Sequence, residues 1–210
     1  LKCHFKIMKT KSNMTVKDKE NQVICGDCLE VMKTLDIPSN AVIITDPPYD
    51  DYHQELYKYK DGLLDFLDKL PNRQFIFWSA KTPFPLSSYS AIHIWDKKCG
   101  VGSMYERIFE RNGGKAYRVF RHYLINSTVA AKYAKDVFTG HKSQKPIQLM
   151  EELVEKFTKP GQLIIDPFAG SGSTLVAAQK LGRQYIGIEI NQEYIEIINN
   201  RINNLPTNLL

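Results

Sequence analysis

Short runs of branched aliphatic residues recur along this chain of 210 residues, separated by stretches with helical spacing. Residues 41–45 (Ala-Val-Ile-Ile-Thr) and 163–166 (Leu-Ile-Ile-Asp) are apolar at consecutive rather than alternate positions. A strand of that kind is buried on both faces, which requires helices on either side of a mostly parallel sheet. The rest of the chain keeps the same rhythm. Strands are predicted at 22–26, 74–78 and 185–189, and helices at 29–35, 54–70, 147–157, 173–181 and 193–203. The expected class is α/β.

Residues 81–140 break the pattern. They are richer in Tyr, Arg, Gly and Ser, and their predicted strands (91–95 and 117–124) lack intervening helices. Sixty residues are too few for both edge strands and an independent domain, so this region is expected to supply edge strands and a short target-facing region. Residues 1–19 read as a basic, flexible lead-in, and 20–210 as a single domain. The longest apolar runs are strand-length, far short of the roughly 20 residues of a membrane span. No secretory leader pattern precedes them, so a cytoplasmic protein is expected. Of four cysteines, Cys25 and Cys28 form a C-x-x-C pair, but no second pair follows at zinc-site spacing. Ordinary thiols and no metal are expected. The formal charge of +5 is compatible with a polyanionic partner without demonstrating one.

Two constellations carry chemistry. In the first, a buried strand ends at Asp166, and Pro167, Phe168, Ala169, Gly170, Ser171 and Gly172 form a tight turn into a helix. Glycines there let a ligand approach the backbone and present amides at a helix start. The turn lacks the Gly-Lys-Ser/Thr ending of a phosphate loop, which disfavours nucleoside triphosphates. A second strand then ends at Glu189, about twenty residues after the glycines, where an acid accepts hydrogen bonds from a ribose diol. Both a dinucleotide and S-adenosylmethionine fit that spacing.

The second constellation is Asp46-Pro47-Pro48-Tyr49, which closes a buried strand. Consecutive prolines stop the ladder and fix a rigid loop at the rim where α/β proteins bind ligands. An amino group on an aromatic ring is a poor nucleophile, because its lone pair is delocalised into the ring. An acid and a fixed carbonyl, Asp46 and Pro47, would each accept one amine hydrogen, while Tyr49 stacks on the ring.

Together these residues resemble the DNA amino-methyltransferases (N6-adenine and N4-cytosine), in the circularly permuted order called the beta class, where Asp-Pro-Pro-Tyr precedes the cofactor loop. His141-Lys142-Ser143-Gln144-Lys145-Pro146 is similar to the family's His-x-x-Gln-Lys-Pro element. Gly26-Asp27-Cys28 resembles its opening strand, and Trp95-Asp96-Lys97 more loosely a Trp-x-Lys segment. The resemblance covers about residues 20–203; a recognisable target-recognition domain is short or missing. It implies a Rossmann-like methyltransferase fold, with a mostly parallel seven-stranded sheet and one antiparallel strand. The catalytic set it implies is Asp46, Pro47, Pro48 and Tyr49. The implied S-adenosylmethionine site comprises Asp27 and Cys28 at the adenine end, Asp46, Lys145 near the methionine end, the turn from Asp166 to Gly172, and Glu189 with Ile190. Methyl transfer to the N6 amine of a flipped adenine in DNA is the expected activity, since Asp rather than Ser opens the motif. The alternatives are N4-cytosine methylation, then methylation of an RNA base or a protein glutamine.

Lys97, Lys98, Arg107, Arg111, Arg118, Arg121, Lys132 and Lys135 are candidates for phosphate contacts. His122 and His141 read as structural rather than metal-binding. A homodimer is one way for so small a recognition region to hold DNA.

Overall fold

A parallel sheet places every strand's carboxyl end on one rim, so the strand order decides which loops meet. The computed structural model describes residues 21–48, 57–99, 104–125, 136–141 and 143–205, with backbone alone for 57–61. Its strands are β1 (Gln22–Cys25), β2 (Val42–Thr45), β3 (Arg73–Ser79), β4 (Ala91–Asp96), β5 (Tyr105–Arg111), β6 (Val119–Arg121), β7 (Leu163–Asp166) and β8 (Gln184–Glu189). Its helices are α1 (Cys28–Thr34), α2 (Tyr57–Asp68), α3 (Ile147–Phe157), α4 (Ser173–Lys180) and α5 (Gln192–Asn203). Among the described residues the strands form one eight-stranded sheet in the order β1-β8-β7-β2-β3-β5-β4-β6. Only β5 runs antiparallel to its neighbours, β3 and β4. The single antiparallel strand matches expectation, and the count of seven is corrected to eight: the short strand β6 adds an edge beside β4.

The consecutive apolar residues divide between two cores because strand side chains alternate. Val42 and Ile44 of β2, Phe75 and Phe77 of β3 and Ile164 of β7 pack beneath α3, α4 and α5, against Leu149, Leu153, Leu175 and Ile198. Ile43, Ile76, Trp78, Leu163 and Ile165 pack beneath α1 and α2, against Val31, Met32, Leu63 and Leu67. At roughly 25 cal/mol per Å² of apolar surface, burial on both faces is the main force holding the central strands. Gly187 of β8 allows α4 to sit close on the sheet, since a Cβ there would meet Leu175 at 2.3 Å.

The order reverses between β7 and β2. From β7 the chain moves outward to β8, and from β2 outward in the opposite direction to β3. Such a switch point opens a crevice at the carboxyl rim. Strand β5 was not predicted. The strand predicted at 117–124 shortens to Val119–Arg121, and the part of the 54–70 helix before Tyr57 lies outside the described residues. No helix among the described residues is long and apolar enough to cross a membrane.

Candidate functional site

Four neighbouring strands deliver the predicted residues to one rim. β1 leads to Asp27 and Cys28, β8 ends at Glu189, β7 ends at Asp166, and β2 leads to Asp46 and Pro47. Cys25 pairs with Glu189, and Asp166 with Gly187, so these ends are level. Tyr49, assigned to base stacking, lies outside the described residues, as does Lys142.

After Asp166 the chain turns back at once. Asp166 Oδ1 accepts from Phe168 N at 3.1 Å, and Gly172 N donates to the Ala169 carbonyl at 2.7 Å. Gly170 and Gly172 adopt φ of +52° and +80°, a left-handed region that favours glycine. Burial pushes the Asp166 carboxyl up to about 7, with the nearby charge of Asp46 adding to the effect. Glu189 closes the turn from the next strand. Its Oε2 accepts from Gly170 N at 2.9 Å and its Oε1 from Asn191 N at 2.8 Å. Burial raises the Glu189 pKa against these backbone hydrogen bonds. A carboxylate offers about four acceptor sites, so Glu189 can hold the turn and still receive a ribose hydroxyl.

Just after β1, Asp27 caps α1, its Oδ1 accepting from Leu29 N at 3.0 Å and Glu30 N at 3.1 Å. The adjacent Cys28 is a buried thiol outside any disulfide. Burial, reinforced by Asp27, pushes it up to about 12, so it stays protonated and is no nucleophile. Cys25 is disulfide-bonded, a departure from the ordinary thiol expected there. Acids at successive strand ends, a glycine turn and a helix start suit the hydroxyls, amino group and charged tail of S-adenosylmethionine. Phe168 and Ile190 are half-buried beside them.

The segment before α3 ties the two constellations together. Lys145 places its ammonium on Asp46 Oδ2, and its own carbonyl accepts from Ser173 Oγ at 2.7 Å in the first turn of α4. One residue therefore touches both the proline loop and the helix that follows the glycine turn. His141 lies over the turn, where a Cβ on Gly170 would come within 3.1 Å of its ring, and meets the Tyr194 ring edge-on at 4.6 Å between centroids. Gln144 accepts from Thr139 N and donates to the Val137 carbonyl, both at 2.9 Å. Asp136 receives Ile147 N at 3.1 Å and Arg201 of α5 at 3.0 Å, and the same Arg201 donates to the Ser171 carbonyl at 2.7 Å.

Sequence reasoning missed Asp136, Arg201 and Glu106, whose roles depend on partners distant in the chain. It misplaced others. Lys97 and Arg111 are buried and cannot reach a phosphate; Lys97 pairs with Glu106, and Arg111 with Asp68. Arg107 is turned inward onto the Ser79 and Thr82 carbonyls. Lys98, Arg118 and Arg121 remain exposed, while Lys132 and Lys135 lie outside the described residues. A cleft of about 430 Å³ lined by Ser39, Arg73, Asn112 and Lys156 lies at the opposite rim and shares no residue with these loops.

Comparison with known proteins bears on the family and the fold. The family model described as "DNA methylase" matches residues 71–200, more than half of the chain. YubD of Escherichia coli (strain K12) is 32% identical over 83% of this chain and 86% of its own length. The DNA adenine methyltransferase YhdJ of the same organism is 26% identical over 83% of this chain and 80% of its own. The type II methyltransferase M2.DpnII of Streptococcus pneumoniae is 38% identical, but over only 44% of this chain and 39% of its own. Among solved structures, the M1.HpyAVI–SAM complex superposes with a TM-score of 0.60 at 20% identity, covering 90% of this chain and 100% of that one. The cytosine-N4-specific PvuII DNA methyltransferase reaches 0.62 at 16% identity, covering 89% and 87%. At such identities the superpositions speak for the fold.

Proposed function

Because the chain belongs to the DNA methylase family, the amino-methyltransferases of DNA bases, we propose that it methylates the exocyclic N6 amine of adenine in DNA. The family's cofactor is S-adenosylmethionine, which supplies a methyl carbon already activated by a sulfonium. What remains for the protein is to place the amine and handle its hydrogens. In this reading Asp46 accepts one amine hydrogen and the Pro47 carbonyl the other, drawing the lone pair out of conjugation. Glu189 and Asp27 hold the adenosine end of the cofactor, the 166–172 turn follows its backbone, and Lys145 marks its methionine end. The target base must leave the helix stack, at a cost of a few kcal/mol. Tyr49 would offset part of that, since base–aromatic stacking contributes about 1–3 kcal/mol.

The observation that carries the reading is the bridge through Lys145, which joins the Asp46 loop to the start of α4 across the switch point. The adenine assignment rests on Asp46 as the first residue of its motif. The test is incubation with mixed-sequence DNA and methyl-labelled cofactor, digestion to nucleosides, and mass spectrometry. N6-methyladenine is the expected product. N4-methylcytosine would overturn the adenine assignment while leaving the machinery intact, and label in neither base would overturn the reading altogether.

A further inference from the structure

Beneath the Asp46 loop a line of charges continues past Lys145. Glu106 Oε2 lies 3.3 Å from the Lys145 ammonium, and Glu106 Oε1 lies 2.7 Å from Nζ of Lys97. Asp46 follows β2, Lys145 precedes α3, Glu106 belongs to β5 and Lys97 follows β4. Four separate segments thus contribute one charge each, alternating in sign. Aromatic rings pack against the line: the Lys145 ammonium is 5.2 Å from the Phe77 centroid, and that of Lys97 is 5.1 Å from Trp95. The side chains of Lys145 and Lys97 are each 9% exposed, that of Glu106 13% and that of Asp46 20%.

Burying four charges is expensive, and an apolar pair at positions 97 and 106 would spare much of the desolvation. The second pair is explained by what an isolated lysine would do to Asp46. An ammonium held by one carboxylate alone draws that carboxylate's electron density and weakens it as an acceptor. A second carboxylate on the far side of the ammonium divides the attraction.

We propose that Glu106 is a positioning residue for methyl transfer: by sharing the Lys145 ammonium, with Lys97 as its own counter-charge, it keeps the Asp46 carboxylate strong enough to accept the target amine. The proposal rests on the reading of Asp46 as that acceptor. Burial opposes charge on Lys145, but Asp46 and Glu106 outweigh it and hold the ammonium above the ordinary lysine value. Burial likewise opposes charge on Glu106, and Lys145 and Lys97 outweigh it, holding this acid below the usual range. Among the described residues, the charged groups facing Asp46 are Lys145 directly, Glu106 and Lys97 behind it, and Asp166 from β7. Removing the negative charge at 106 strengthens the hold of Lys145 on Asp46; removing the positive charge at 97 weakens it.

The test compares Glu106→Gln, Lys97→Met and Asp46→Asn in the full chain. It reads kcat and KM for DNA from pH 5 to 9, with S-adenosylmethionine affinity by calorimetry as the check on folding. Glu106→Gln is expected to keep cofactor affinity and KM for DNA while kcat falls about tenfold. Its acid limb should move down by about half a unit, and that of Lys97→Met should move up by a similar amount. A merely structural role would not shift the two limbs in opposite directions. Wild-type kcat with an unmoved limb in Glu106→Gln overturns the proposal, as do limbs moving the same way. If Glu106→Gln does not fold, Lys97→Met decides alone: an upward limb supports the proposal and an unmoved one overturns it. Asp46→Asn separates the two levels. Full turnover there removes the acceptor reading and this proposal together, whereas an inert Asp46→Asn beside an unaffected Glu106→Gln removes this proposal only.

Discussion

Asp166 sits at the bottom of the candidate crevice, and its titration belongs to the folded chain. Its carboxyl moves from the ordinary 3.8 to about 7, chiefly through burial. Between those values the folded protein keeps a proton that the unfolded chain releases. Stability therefore falls as pH rises through that window, and above about pH 7 the full cost of the buried charge is present. Asp166→Asn removes the titration while keeping an acceptor for Phe168 N. Its stability relative to wild type should rise between pH 4 and 8 by up to about 4 kcal/mol, the equivalent of the shift. Urea unfolding of both proteins at the two pH values measures this, and a constant difference would show that the carboxyl is charged throughout. At the same scale, the identities of Asp46, Asp166 and Glu189 were legible because each ends an apolar strand. The burial of Lys97 and Arg111 was not, because a cation in sequence looks the same whether it faces water or a carboxylate.

The element that escaped prediction is β5. Its sequence, Tyr-Glu-Arg-Ile-Phe-Glu-Arg, carries a charge at four of seven positions and has no apolar alternation. It is nonetheless an interior strand, flanked by β3 and β4. Its charges meet partners from other elements: Glu110 pairs with Arg73 and is hydrogen-bonded to His93, Arg111 pairs with Asp68, Glu106 with Lys97 and Lys145, and Arg107 donates to the carbonyls of Ser79 and Thr82. Periodicity reports burial only when burial is apolar, so a strand held by ion pairs is invisible to it. The glycine turn was legible for the opposite reason, since glycine enrichment is a direct trace of backbone geometry. Gly172 begins α4 at φ +80°, and a Cβ there would come within 2.8 Å of the buried Ile198 of α5. Gly182 also has positive φ, +67°, but nothing surrounds its missing Cβ. Gly182→Ala should cost only the left-handed backbone, about 1–2 kcal/mol. Gly172→Ala adds overpacking and should cost about 3 kcal/mol or more. Equal unfolding midpoints for the two variants would contradict the close packing of α5 on the turn.

At the scale of the whole molecule, the proposed function assigns the cofactor chiefly to the ends of β1, β8 and β7 and the target base to the loop after β2, so the two kinds of binding should separate. A ligand that binds only the folded state stabilises it by about 2.7 kcal/mol at a hundredfold excess over Kd. For a domain of this size, saturating S-adenosylmethionine should raise the melting temperature by about 5–10 °C. Asp46→Asn, which removes the charge assigned to the target amine and keeps the side chain's shape at the edge of the cofactor site, should keep most of that shift. Glu189→Ala should lose most of it, and a full shift there would take the ribose-binding role from Glu189.

The residues that meet at the rim are remote along the chain. Lys145 and Asp46 are 99 positions apart, and the contact of Tyr185 with Asn21, beside the first strand, spans 164. Contacts of such range form late in folding, after the entropy of closing long loops has been overcome. While the ribosome is still adding the second half, Asp46 has no lysine to meet and β1 has no neighbour on which to pair. Competence therefore arrives with the last strands rather than gradually, so that a half-made polypeptide, whatever it touches, leaves no mark on the genome.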